Sequence, residues 1–321
     1  MRLKLVPTIT NVDFFKYTKV TFGGSILAMI ASIGIFFMAG LNYGIDFRGG
    51  TTIRTDSQLA VDVAKYREAL ETLNLGDISI TQVTDLAQPN QNVTQIRIQA
   101  QEGDEAISNE VIIAVKAALK GLDNMMTFPQ VESVGPKVSG ELIQTAVIAV
   151  FLAIVAVLFY IWLRFEWQFS VGAVAALVHD VVLTIGVFSL LQIKFDLAII
   201  AALLTIVGYS LNDTVVVFDR VRENLRKYKK KALKEVLNLS INETLSRTVM
   251  TSVTTLIALI SLFVLGGDVI RGFVFAMIWG VIVGTYSSVF VASAILLKLN
   301  VTRDWSAKDV NTGGQFSNID A

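Results

Sequence analysis

Four ionisable residues in otherwise apolar surroundings could do chemistry in this chain. Asp213 follows Tyr209 by four residues and adjoins Asn212, His179 and Asp180 are neighbours, and Arg247 precedes the hydroxyl-bearing Thr248, Thr251, Ser252, Thr254 and Thr255. On a helix, Thr205, Tyr209 and Asp213 share one face, as do Gly172, Ala176, Asp180 and Thr184. A carboxyl in such a place can be neutral or charged: burial favours the neutral form, a nearby guanidinium the charged form, and a change of packing tips the balance. That is the chemistry of reversible proton binding, with Asp213 as the foremost candidate and Arg247 as its charge partner. A second reading stands beside it. A buried Asp–Arg pair can simply hold two helices together, and His179 can be a hydrogen-bonded core residue that Asp180 orients. Other chemistries fall away, because one histidine and no cysteine exclude thiol nucleophiles, disulfide scaffolds, zinc fingers and multi-histidine metal sites. No G-x-x-x-x-G-K-[ST] phosphate loop and no H-E-x-x-H is present, so the expectation is a protein with no cofactor, no metal and no enzymatic activity.

The elements that must position these residues are membrane spans. A composition of 53% apolar and 17% charged residues is too apolar for a soluble globule of 321 residues. Six stretches reach the roughly 20 apolar residues a bilayer requires, at 20–41, 143–163, 169–191, 197–218, 248–265 and 272–297. The first reads as an uncleaved anchor, since it is too long for a signal-peptide core. An even number of spans puts both termini on one side. With the termini inside, 17 Lys and Arg lie on that side and 10 on the other, eight of the 10 within one long insert. Short-loop cations collect on the cytoplasmic side, so the termini are expected there. The organisation is then an N-terminal segment at 1–19, a span at 20–41, an insert at 42–140, a five-span region at 143–297 and a tail at 298–321. A basic cytoplasmic loop is expected at 219–246, carrying the run Arg226-Lys227-Tyr228-Lys229-Lys230-Lys231 flanked by helix-compatible sequence. Such a run suits anionic headgroups or a cytoplasmic partner.

The insert, with 13 acidic and eight basic residues, is the one soluble domain. Alternation predicts strands at 51–55 and 78–83, with a helix between them through Leu59, Val63, Tyr66, Leu70 and Leu73. A second unit begins with a strand at Val93, Ile96 and Ile98, continues with a helix from Ile107 to Leu122, and closes with a strand at 128–134. Strand, helix, strand twice over is the ferredoxin-like order. Before it, Gly44-Ile45-Asp46-Phe47-Arg48-Gly49-Gly50-Thr51 precedes a strand and reads as a turn. The sixth span carries a small residue at every fourth position, Gly272, Ala276, Gly280, Gly284, Ser288 and Ala292, which lets helices approach closely at an internal seam or at a partner.

Together, the segment from Gly44 to Thr51, His179-Asp180-Val181, and Gly208-Tyr209-Ser210-Leu211-Asn212-Asp213-Thr214 resemble the SecD/SecF family of bacterial protein-export membrane proteins. Arg164-Phe165-Glu166-Trp167 and Asp219-Arg220-Val221-Arg222-Glu223-Asn224 extend the match. The resemblance implies a polytopic helical protein of the bacterial inner membrane, similar to half of a resistance-nodulation-division transporter, with its large insert in the periplasm. It implies SecD as a partner, the SecYEG channel as the site of action, an unfolded preprotein as cargo and the proton-motive force as the energy source. The family's transmembrane carboxylate and arginine fall on Asp213 and Arg247, with Asp180, His179, Asn212 and Tyr209 completing the expected proton-coupling set. Gly44, Asp46, Gly49 and Gly50 form its signature turn. A proton-coupled efflux half-transporter for small molecules or lipids and a passive scaffold subunit are the alternatives.

Overall fold

The computed structural model describes residues 10–76, 78–83, 92–99, 107–266 and 268–301. The start of the expected N-terminal segment and the tail beyond residue 301 lie outside the described residues. The chain runs α1 (Thr18–Ala39), β1 (Asn42–Tyr43), α2 (Ile45–Arg48), β2 (Gly50–Ser57), α3 (Val63–Glu71), β3 (Ile78–Val83), β4 (Asn92–Ile98), α4 (Asn109–Lys120) and β5 (Thr127–Val134). It continues through α5 (Pro136–Arg164), α6 (Trp167–Leu191), β6 (Lys194–Phe195), α7 (Leu197–Lys227), α8 (Leu233–Leu265) and α9 (Asp268–Ser287). A π-helical turn, Ser288–Ala292, leads into α10 (Ser293–Lys298).

Six of these helical stretches are long and apolar enough to cross a membrane, the last formed by α9, the π-helical turn and α10 together. Helices α6, α7 and α9 form the centre, while α1, α5 and α8 leave most of their surface facing outward. The stripe of small residues on α9 lies along the seam with α7. A Cβ on Gly280 would sit 2.3 Å from the Ile206 side chain, and one on Gly284 would sit 3.0 Å from Ser210. Past the π-helical turn the same helix leans on α6, where a Cβ on Gly172 would meet the Ala292 carbonyl at 3.2 Å.

On the side opposite the insert, the expected loop at 219–246 is instead a helical hairpin. Helix α7 continues to Lys227 and α8 begins at Leu233, leaving a short connection at 228–232. Polar sequence there is compatible with helix because its groups pair across the hairpin. Arg220 Nε donates to Glu243 Oε2 at 2.7 Å, and Asn224 Nδ2 donates to Glu243 Oε2 at 2.6 Å and Ser240 Oγ at 3.0 Å. Beneath them Val221, Leu225, Val236, Leu237 and Ile241 are buried, which supplies the apolar contact that a polar helix pair needs to stay closed. The segment before α1 lies along this hairpin. The Asn242 amide accepts from Val12 N at 2.8 Å and donates to Val12 O at 2.9 Å, while Asn238 Oδ1 accepts from Phe14 N at 2.9 Å.

The insert forms a four-stranded antiparallel sheet in the order β3-β4-β2-β5. Helices α3 and α4 cover one face, enclosing Ile53, Tyr66, Leu70, Ile96, Val115 and Leu119. Helix α3 starts later than its apolar periodicity, because the Asp62 side chain accepts from the Ala64 and Lys65 amides and sets the first turn. The opposite face is polar. Arg54, Gln95 and Glu132 on it, and Lys194, Asp196 and Arg271 together with Phe263, Phe273 and Phe275 below, line a cleft of about 810 Å³ between the domain and the spans.

Candidate functional site

Asp180 sits at the junction of α6, α7 and α9, 1% exposed. Its Oδ2 accepts from Ser210 Oγ of α7 at 2.6 Å and from Ser287 Oγ of α9 at 2.8 Å. Its Oδ1 lies 3.0 Å from His179 Nδ1. The His179 ring stacks on Tyr286, centroids 6.2 Å apart, and the Tyr286 hydroxyl donates to the Thr21 carbonyl of α1 at 2.9 Å. Both carboxyl oxygens of Asp180 are therefore engaged, and the residue ties three helices through short bonds. The remaining His179 nitrogen, Nε2, is buried without a hydrogen-bond partner among the described residues.

Asp213 is a contrasting carboxyl. It lies one turn beyond Ser210 on α7, is 3% exposed, and its Oδ2 is buried with no hydrogen-bond partner among the described residues. The hydroxyl of Tyr209, one turn before it, is likewise buried and unpartnered. Arg247 on α8 is exposed and forms no ion pair within 4.0 Å of Asp213, although it is near enough to act on that carboxyl through space. The expected proton-coupling residues thus divide. His179 and Asp180 form one closed set, Asp213 and Tyr209 share the inner side of α7, Arg247 stands off, and Asn212 is exposed on another face of α7. Neither Asp213 nor Arg247 lies at a helix end, since α7 and α8 both continue well beyond them. Of the hydroxyl-rich face on α8, Ser252 meets Thr285 of α9 at 2.7 Å, while Thr251 and Thr254 bond back to their own helix.

Ser210 and Ser287 are the functional-site residues that the sequence reading missed. A serine in an apolar span bonds its own helix or a neighbour equally well, so its type alone carried no signal. Their positions did carry one: Ser210 is one turn from Asp213 within the quoted motif, and Ser287 borders the small-residue stripe.

The Gly44–Gly50 segment is a joint rather than a simple turn. Tyr43 and Phe195 pair as parallel strands, Gly44 N donates to Phe195 O at 2.7 Å, and Arg97 of β4 donates to Tyr43 O at 2.7 Å. Gly44 fits because a Cβ there would meet Asp196 Cβ at 3.1 Å and Phe195 O at 3.2 Å. Gly49 and Gly50, at φ 71° and 124°, let the chain leave α2 and enter β2, a path that side chains disfavour. Asp46 Oδ2 accepts from Leu197 N, the first amide of α7, at 3.0 Å. Asp196, the residue preceding α7, makes no side-chain cap bond. Burial pushes its carboxyl above the usual range and Asp46 adds to that shift, while Lys194 and the nearby Ala198 and Ile199 amides, outside hydrogen-bond geometry with that carboxyl, oppose it.

The same regions are those matched by known families. A profile described as "Protein export membrane protein SecD/SecF, C-terminal" matches residues 114–302, and one described as "SecD/SecF GG Motif" matches residues 34–57. A protein translocase subunit SecF of Cereibacter sphaeroides is 62% identical over 321 residues, covering 100% of this chain and 99% of its own length. A protein translocase subunit SecDF of Brucella abortus is 42% identical over 303 residues, covering 94% of this chain and 39% of its own length. The crystal structure of SecDF, a translocon-associated membrane protein from Thermus thermophilus, superposes with a TM-score of 0.81 at 36% identity, covering 94% of this chain and 40% of that one. The chain spans about two fifths of those SecDF chains and the full length of the SecF relative. Taken with its six spans and inserted domain, these matches place the chain in the SecD/SecF family of protein-export membrane proteins.

Proposed function

We propose that this accessory subunit of the Sec translocase uses the proton-motive force to drive or complete export of preproteins through SecYEG, with Asp213 as the proton carrier. The observation that carries this reading is the contrast between two buried carboxyls on neighbouring helices. Asp180 has both carboxyl oxygens bonded, whereas Asp213 is buried with Oδ2 unbonded, one helical turn from a Tyr209 whose hydroxyl is also unpartnered, and with the Arg247 charge at a distance. A group in that setting changes protonation when water or a guanidinium reaches it, and each state favours a different helix packing. Arg247 is the mobile counter-charge. His179 and Asp180 support the packing of α7 rather than relay the proton.

The energy suffices. At an assumed driving force of about 150 to 200 mV, one proton carries about 3.5 to 4.6 kcal/mol. Reversing a 1:99 equilibrium takes about 5.5 kcal/mol, so one or two protons per cycle could swing a domain between two positions. The βαββαβ order and the sheet order β3-β4-β2-β5 support reading the insert as a ferredoxin-like domain, placed on the periplasmic side by the distribution of Lys and Arg. Because the SecDF relatives carry more than twice this length, SecD is the proposed partner, with both termini cytoplasmic in the bacterial inner membrane.

The test is export into vesicles with an imposed proton gradient, using Asp213→Asn, which keeps size and cannot ionise. The gradient-dependent part of export should vanish while assembly with SecD is retained. Export that still responds to the gradient in this variant would leave only the scaffold reading. A deletion strain that becomes sensitive to a panel of lipophilic drugs would favour efflux instead.

A further inference from the structure

We propose that Asp46 is a positioning residue that links the inserted domain mechanically to α7, the helix carrying Asp213. Helix α7 begins with the Leu197 amide, which an N-cap side chain, reaching for the second and third amides, does not serve. The acceptor comes instead from Asp46, 151 residues earlier in the chain. Asp46 lies on the four-residue helix α2, immediately before the two positive-φ glycines and the first strand of the domain. Around that bond the joint is stiff. Gly44 is packed against Phe195 and Asp196, Tyr43 pairs with Phe195, and the domain's own Arg97 reaches down to Tyr43 O. Phe47, Phe188 and Phe195 fill the space beneath, with ring centroids 5.8 to 6.0 Å apart along the chain of contacts. Above the joint, by contrast, an open cleft lined by both charged and aromatic side chains lies between the sheet and the spans. The domain is therefore held to α7 at one point and is separated from the spans along its open face. Rotation about the joint displaces the first turn of α7, and Asp213 lies 16 residues further on, about 24 Å along the same helix.

The capping geometry holds without the proton reading; only the final step, from α7 to Asp213, rests on it. The chain has no cysteine, so two can be introduced uniquely. Spin labels at Lys120→Cys on the domain and Leu265→Cys at the end of α8, in the full chain with SecD in lipid nanodiscs, report the domain's orientation. The unmodified joint should give one narrow distance distribution. Asp46→Ala should broaden it at least twofold. The same change should speed hydrogen exchange in the first turn of α7 about fivefold, matching a cap worth about 1 kcal/mol. Asp46→Asn, which keeps an oxygen acceptor, should restore both readouts. Faster exchange with an unchanged distribution would reduce Asp46 to a local cap and overturn the link, as would an Asn variant that behaves like Ala. Under a proton gradient, Asp46→Ala should still take up protons while the gradient-dependent distance change is lost. If the unmodified chain takes up no protons, the proton reading fails, and the distribution and exchange data still decide the role of Asp46.

Discussion

The two buried carboxyls respond differently to one isosteric change. Asp180 accepts from Ser210 at 2.6 Å and Ser287 at 2.8 Å through one oxygen and faces His179 at 3.0 Å through the other. In Asp180→Asn a single oxygen remains, which can serve the two serines or the histidine but not all three. Ser287 also bonds the Gly284 carbonyl at 3.2 Å and so keeps a partner. With that oxygen on the serines, the Asn amide can donate to His179 Nδ1 only when the ring proton sits on Nε2, where the buried N–H then has no acceptor. One buried polar group is therefore left unsatisfied, at a cost of about 1–3 kcal/mol. Asp213 loses no hydrogen bond on the same change and gives up a buried carboxyl oxygen that had no partner, so this variant should be destabilised less than Asp180→Asn. Unfolding of the purified chain in mixed micelles, followed by the fluorescence of its four tryptophans, measures both. The expected result is a destabilised but export-competent Asp180→Asn and a stable but gradient-blind Asp213→Asn. Equal destabilisation at the two sites, or a larger loss at 213, would refute the division into a packing carboxyl and a working one.

Two further outcomes test the packing and the domain. Gly280→Ala drives a methyl into Ile206, already 2.3 Å from the added Cβ, and such overpacking costs about 1–3 kcal/mol. Alanine regains about 1 kcal/mol of helix propensity, so a net loss of up to about 2 kcal/mol is expected, and adding Ile206→Ala should cost less than the two changes summed. In the domain, the Ser57 hydroxyl and the Met125 amide hold the Asp123 carboxyl below its usual range. The unfolded chain binds that proton more tightly, so the stabilisation is complete above the unfolded value of about pH 4. It is lost as pH falls through the lower folded value. An environment-sensitive dye at Lys120→Cys should show acid melting below that point, and Asp123→Asn should flatten this part of the profile. An unchanged profile in that variant would assign the acid sensitivity elsewhere.

The spans were legible because a bilayer imposes length and apolarity directly on the sequence, and the strands because alternation marks a half-buried sheet. The strand read at 78–83 matches β3, and that read at 128–134 falls within β5. Helix ends on the basic side were not legible. The sequence flanking the basic run is compatible with helix, but how far α7 and α8 extend depends on Arg220, Asn224, Ser240 and Glu243 bonding one another across the two helices. The stripe from Gly272 to Gly284 identified a close-packed seam but not the helix it faces. The importance of Asp213 could be inferred from the cost of its burial, whereas the difference between it and Asp180 depends on two serines contributed by other helices. The role of Asp46 was hidden for the same reason, since the amide it caps is remote in sequence.

The cleft between sheet and spans carries both charge and aromatic rings. Arg54, Glu132, Lys194, Asp196 and Arg271 border it, and so do Ile193, Phe263, Phe273 and Phe275. Opening it parts cation from anion and also wets oil, so the resting angle of the domain should answer to two controls at once: added salt loosens the ionic share, and cooling weakens the oily one.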